Sequence, residues 1–84
     1  MVTADDNEDY EIDFSMVLMS FASNVSLHLD PDSKAYDLKL AKQTIDMLEV
    51  LQKKTDGNLT EEEEALFSGL LYQTRLAYCD AKKQ

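Results

Sequence analysis

His28, Asp30 and Asp32 stand in the order His-x-Asp-x-Asp and offer one imidazole and two carboxylates, a donor set able to hold a divalent cation. Pro31 interrupts the run and His28 is the only histidine of the chain, so a zinc site with two imidazoles cannot form. A histidine near a helix C-terminus more commonly serves as a partner for the negative end of the helix dipole. Cys79 is the only cysteine, which excludes an internal disulfide and a Cys-based metal cluster. As a nucleophile it has no neighbouring His base, and Asp80 beside it disfavours the thiolate. Asp46 and Arg75 lie at comparable distances from the Asp56-Gly57-Asn58 turn, which brings an interhelical ion pair within reach. Alternatively Arg75, with Tyr72 and Tyr78, can receive a carboxylate or phosphate bidentately. No paired-carboxylate acid/base site, triad or phosphate loop is spaced for chemistry, so the expectation is a protein without catalysis, cofactor or resident metal.

Asp56-Gly57-Asn58 followed by Glu61, Glu62, Glu63 and Glu64 invites a calcium reading. An EF-hand loop needs oxygen ligands at positions one, three and five, Gly at six and Glu at twelve. With Gly57 sixth, position one falls on Gln52 and position three on Lys54, whose ammonium repels a cation. With Asp56 first, position twelve falls on Phe67. Neither register works. A helix-to-helix turn accounts for the same residues: Gly57, aided by Asn58, takes the left-handed conformation that ends one helix. Thr60 and Glu63 then form the capping box that starts the next, with the neighbouring glutamates favoured at its positive end.

The elements that must carry these residues are helical. One Pro, two Gly and no strict alternation within 84 residues predict an all-α chain. Helices are expected at about 13–29, 35–54 and 61–80, giving one helix followed by an antiparallel helical hairpin in a single domain, 13–80. Residues 81–84 are expected to fray. Residues 1–12 carry Asp5, Asp6, Glu8, Asp9 and Glu11 with no Lys or Arg, the composition of a solvated, disordered acidic tail. Asp13 is a plausible first N-cap.

Helix faces separate structural from interactive surface. In the second helix Leu38, Leu40, Ala41, Thr44, Ile45, Met47, Leu48, Leu51 and Thr55 fill one side. Lys39, Lys42, Asp46, Glu49 and Lys53 face solvent, with Glu49 and Lys53 in the favourable i,i+4 order. In the third, Leu66, Phe67, Leu70, Leu71, Thr74, Ala77 and Tyr78 make a core stripe. Behind them Ala65, Gly69, Tyr72, Leu76 and Cys79 form a second uncharged stripe, and Gly69 there suggests close approach of another backbone. The first helix packs Phe14, Val17, Leu18, Phe21, Ala22, Val25 and Leu29, and its rear carries Met16, Met19 and Leu27 between serines. No Asp, Glu, Lys or Arg occurs from Phe14 to Leu29.

The chain has 17 Asp plus Glu against 8 Lys plus Arg. This argues against nucleic acid and anionic membrane as partners, since both need a basic surface. The uncharged run Phe14–Leu29 is too short and too polar to span a bilayer, and the acidic N-terminus is unlike a signal peptide. A cytoplasmic location is expected. A chain of this size sits near the limit of what one core can stabilise. With two uncharged rear stripes, it is expected to assemble as a dimeric helical bundle through Met16, Met19, Leu27, Ala65, Gly69, Tyr72 and Leu76. The alternatives are an adaptor that binds a different protein through the same stripes, and a small-ligand or metal-responsive regulator using His28, Asp30 and Asp32 or Arg75.

The block Ile45-Asp46-x-Leu48-x-x-Leu51-x-x-Lys54-Thr55-x-Gly57-Asn58-Leu59-Thr60 and the closing Leu71-Tyr72-x-x-Arg75-x-x-Tyr78 resemble a family of small bacterial proteins, domain of unknown function 1844. The apolar opening from Phe14 to Ala22 is similar to that family's first helix, so the resemblance spans about residues 14–78. The glycine that members often carry near the end of that helix has no counterpart in Leu27-His28-Leu29. The resemblance implies a small, helical, cytoplasmic bacterial protein and supplies no activity, cofactor or catalytic residue.

Overall fold

The computed structural model describes residues 12–83 and contains three helices: α1, Phe14–Leu29; α2, Leu38–Lys54; and α3, Glu61–Lys82. The expected acidic tail, apart from Ile12, lies outside the described residues. Each helix starts at a side-chain cap. Asp13 accepts from the Met16 amide at 3.2 Å and from Ser15 Oγ at 2.6 Å. These two hydrogen bonds, that from Ser15 first, hold its carboxyl below its ordinary pKa. Thr60 Oγ1 accepts from the Glu63 amide at 3.1 Å while Glu63 accepts from the Thr60 amide at 2.9 Å, which completes the expected capping box. Gly57 has φ +88°, a conformation that a Cβ would strain.

Two boundaries differ from expectation. α2 begins at Leu38 instead of Ala35 because Asp37 caps it, accepting from the Lys39 and Leu40 amides at 3.0 and 3.1 Å. The residues before it are held in turns: Ser33 Oγ accepts from the Ala35 amide and Asp30 from the Asp32 amide. α3 continues to Lys82, two residues beyond Asp80.

The helices run up, down and up. The Asp37 amide donates to the His28 carbonyl at 2.9 Å and ties the end of α1 to the start of α2. Phe14 meets Phe67 with ring centroids 5.8 Å apart, so α1 and α3 start together. Farther along, Ala22, Val25 and Leu29 border the same groove as Leu70, Thr74 and Ala77. Leu18, Val25, Ala41, Ile45, Leu48, Phe67 and Leu71 form the buried core between the three helices. Burying a side chain of the size of Leu or Phe contributes ~1.5–3 kcal/mol. Thr44 and Thr74 are buried too, and each hydroxyl donates at 2.8 Å to a carbonyl one turn back, Leu40 and Leu70 respectively. Among the described residues no buried side-chain polar atom lacks a partner.

Candidate functional site

The groups singled out for chemistry fall in two places, His28, Asp30 and Asp32 in the α1–α2 connection and Asp46, Arg75, Tyr78 and Cys79 around a groove between α2 and α3. His28 Nδ1 lies 2.8 Å from the Ala35 carbonyl, so this nitrogen carries the proton and donates. Asp30 is engaged by the Asp32 amide of its own turn. His28, Asp30 and Asp32 thus shape the α1–α2 connection. Among the described residues no group of three or more His, Cys, Asp or Glu side chains converges on a metal position.

A groove between α2 and α3 is lined by Lys42, Ile45, Asp46, Glu49, Arg75, Tyr78 and Cys79. Its charges pair differently from expectation. Arg75 donates from Nε to Glu49 Oε2 at 3.0 Å and also from Nη2 to the same oxygen. Asp46 instead accepts from Lys42 Nζ at 2.8 Å, one turn back on α2. The reason is angular: Glu49 sits about 60° nearer the α3 side of α2 than Asp46 does, given ~100° per residue. Glu49 is thereby held by α3 and not by Lys53. The hydrogen bond to Asp46 raises the pKa of Lys42, which keeps this cation charged. Cys79 is exposed at the edge of this groove, where Lys42 pairs with Asp46 and Arg75 with Glu49.

The rear stripes are where the structure offers unoccupied surface. Met19 and Leu27 on α1 are half-exposed and Met16 somewhat less so. On α3, Tyr72 is 65% exposed and Leu76 about half, with Ala65, Gly69 and Cys79 also open. A Cβ built on Gly69 would meet nothing within 4 Å, so close backbone approach inside the chain does not explain this glycine. α1 and α3 each turn their rear stripe away from the shared core, so the two stripes face different directions.

A third apolar stripe lies on α2. Leu40 and Met47, expected in the core, are 42% and 51% exposed, and Val50 and Tyr36 join them on the surface. Val17 and Ala77 are likewise exposed where core positions were expected. The apolar arc of α2 is wider than the α1–α3 cleft can cover: Ala41, Thr44, Ile45 and Leu48 fill the cleft, and residues at the arc's edge stay outside. The spacing Leu40, Met47, Val50 already marks one helical face, and that spacing is the signal by which this stripe could have been found.

No helix among the described residues is long and apolar enough to cross a membrane. The sequence model of the family described as Domain of unknown function (DUF1844) matches residues 11–80, and the chain belongs to that family. No curated protein and no solved structure matches the chain.

Proposed function

We propose that this member of the DUF1844 family is a non-enzymatic interaction module that self-associates through exposed apolar helix faces. The observation that carries this reading is α1: it has no formal charge from Phe14 to Leu29, yet Met16, Met19 and Leu27 lie on its solvent side. A helix with water on one face ordinarily places Lys or Glu there. Adaptable methionines between small serines suit a contact surface. Because the α1 and α3 stripes face different directions, one closed two-fold contact uses one of them and leaves the other open.

The half of the surface left free favours a second reading, an adaptor. Tyr72, the most exposed of the large apolar residues on α3, is of the type that anchors protein interfaces. In this role the acidic tail steers a basic partner toward the domain.

Self-association is tested by solution mass over a wide concentration range, for the wild type and Met19→Lys. The reading expects a dimer that the charge weakens. A wild-type chain that keeps its monomer mass throughout counts against it.

A further inference from the structure

We infer that the exposed seam of α3 docks one amphipathic helix of another protein, a helix with large apolar residues toward the seam and Lys or Arg along its flanks. This rests on the adaptor reading and names the partner.

The seam is spaced for a helix. Ala65, Gly69, Tyr72, Leu76 and Cys79 follow one another at intervals of four, three, four and three residues, the a/d spacing by which one helix lies along another. All five are exposed, while Phe67, Leu71 and Thr74 fill the buried side of the same helix. α3 thus has a second helix-packing face, about 21 Å long at ~1.5 Å per residue. Tyr72 and Leu76 project from it, and the small residues Ala65, Gly69 and Cys79 leave room beside them for the side chains of an incoming helix. A glycine inside a helix lowers its stability relative to alanine, and nothing within the chain comes within 4 Å of the Cβ that Gly69 lacks. Close passage of an outside helix gives this glycine a role.

Charge identifies the partner. Glu61 and Glu62 flank the start of the seam and Asp80 its end, all three exposed. Ser68 and Gln73 between them are neutral. The cations nearby are engaged elsewhere, Arg75 with Glu49 of α2 and Lys82 over the Tyr78 ring, and Lys83 follows only after the last seam residue. An apolar seam with an acidic rim takes a helix with basic flanks. A second copy of α3 does not meet this need. Laid antiparallel, with its Tyr72 on Gly69 and its Leu76 on Ala65, it sets its Asp80 beside Glu61 and Glu62. Laid parallel in register, it sets each glutamate beside its own counterpart. Acid meets acid in both cases, on chains that each carry a net charge of -9.

The test uses a fluorescent synthetic helix three heptads long, with Leu at a and d and Lys at e and g, and a second peptide with Glu in place of Lys. Anisotropy measures their binding to the full chain as wild type, Gly69→Leu, Tyr72→Glu and Met19→Lys, with circular dichroism as a check on folding. All three positions are exposed, so each variant retains its core. Gly69→Leu adds apolar surface and Tyr72→Glu adds negative charge, so a merely adhesive or merely electrostatic contact gains from one of them. A helix seated in the seam loses with both, its Kd rising about tenfold or more. The expected result is that loss, with Met19→Lys close to wild type and the Glu peptide bound at least about tenfold more weakly than the Lys peptide at low salt. Loss for Met19→Lys alone would move docking to α1, overturning the seam while leaving the adaptor reading intact. No binding of the Lys peptide to the wild type would overturn the helical partner. A lower self-associated mass for Tyr72→Glu than for wild type in sedimentation equilibrium would make the seam a self-interface and overturn it too.

Discussion

Glu49 of α2 accepts two hydrogen bonds from the guanidinium of Arg75 on α3, the ion pair that links the two arms of the hairpin. Both side chains are about half-exposed, so water and salt screen their attraction. Arg75→Ala is therefore expected to lower stability by only ~0–1 kcal/mol, and the difference should shrink on raising the salt. Urea unfolding at low and high ionic strength measures it. A large, salt-independent loss would show that Arg75 contributes mainly through packing.

The core responds on a different scale. Phe67 is fully buried and touches Phe14 across the α1–α3 boundary. Phe67→Ala removes that contact and leaves a cavity, at a cost of ~3–5 kcal/mol. In a domain of this size such a loss approaches the total stability, so the expected outcome is a chain largely unfolded by circular dichroism at 37 °C. A cooperative transition close to wild type would place the core elsewhere.

The two glycines should respond in opposite directions. At Gly57 the backbone is left-handed, so Gly57→Ala is expected to destabilise by ~1–2 kcal/mol. Gly69 sits in the interior of α3 with open space around it. Gly69→Ala should stabilise by up to ~1 kcal/mol. Thermal melts of both variants decide this, and a destabilised Gly69→Ala would signal a backbone packed against that position in the assembly.

Asp13 gives a pH-dependent prediction. Its hydrogen bonds from Ser15 Oγ and the Met16 amide lower its folded pKa. The stability it contributes is thus fully present above its unfolded pKa and is lost as the pH falls through the folded one. Asp13→Ala should be less stable than wild type at neutral pH, with the gap closing under acidic conditions. Urea midpoints of both chains from pH 7 down to about pH 3 trace this. A gap that stays constant would mean that capping does not depend on the carboxylate charge.

Much of this architecture could be read from local signals. Asp13, Gly57, Thr60 and Glu63 act through backbone within a few residues of themselves, so their caps and turn were legible from residue type and spacing. The same held for α1 and α3 core positions such as Leu18 and Phe67. The start of α2 is harder to read because Asp37 is a single cap without a Glu partner three residues on, a fainter signal than Thr60 with Glu63. Leu40 and Met47 lie outside the core for a different reason. A projection gives direction around one helix, but how much of an apolar arc is covered depends on the width of the cleft that two other helices make. Arg75 found Glu49 and not Asp46 for a related reason, since height along a helix says nothing about which flank faces its neighbour.

Self-association of the intact chain is the central claim, and light scattering on a sizing column tests it most directly. The account predicts a mass of twice the 9.6 kDa chain, falling toward the monomer only on strong dilution. A folded species at 9.6 kDa across the whole concentration range would contradict it.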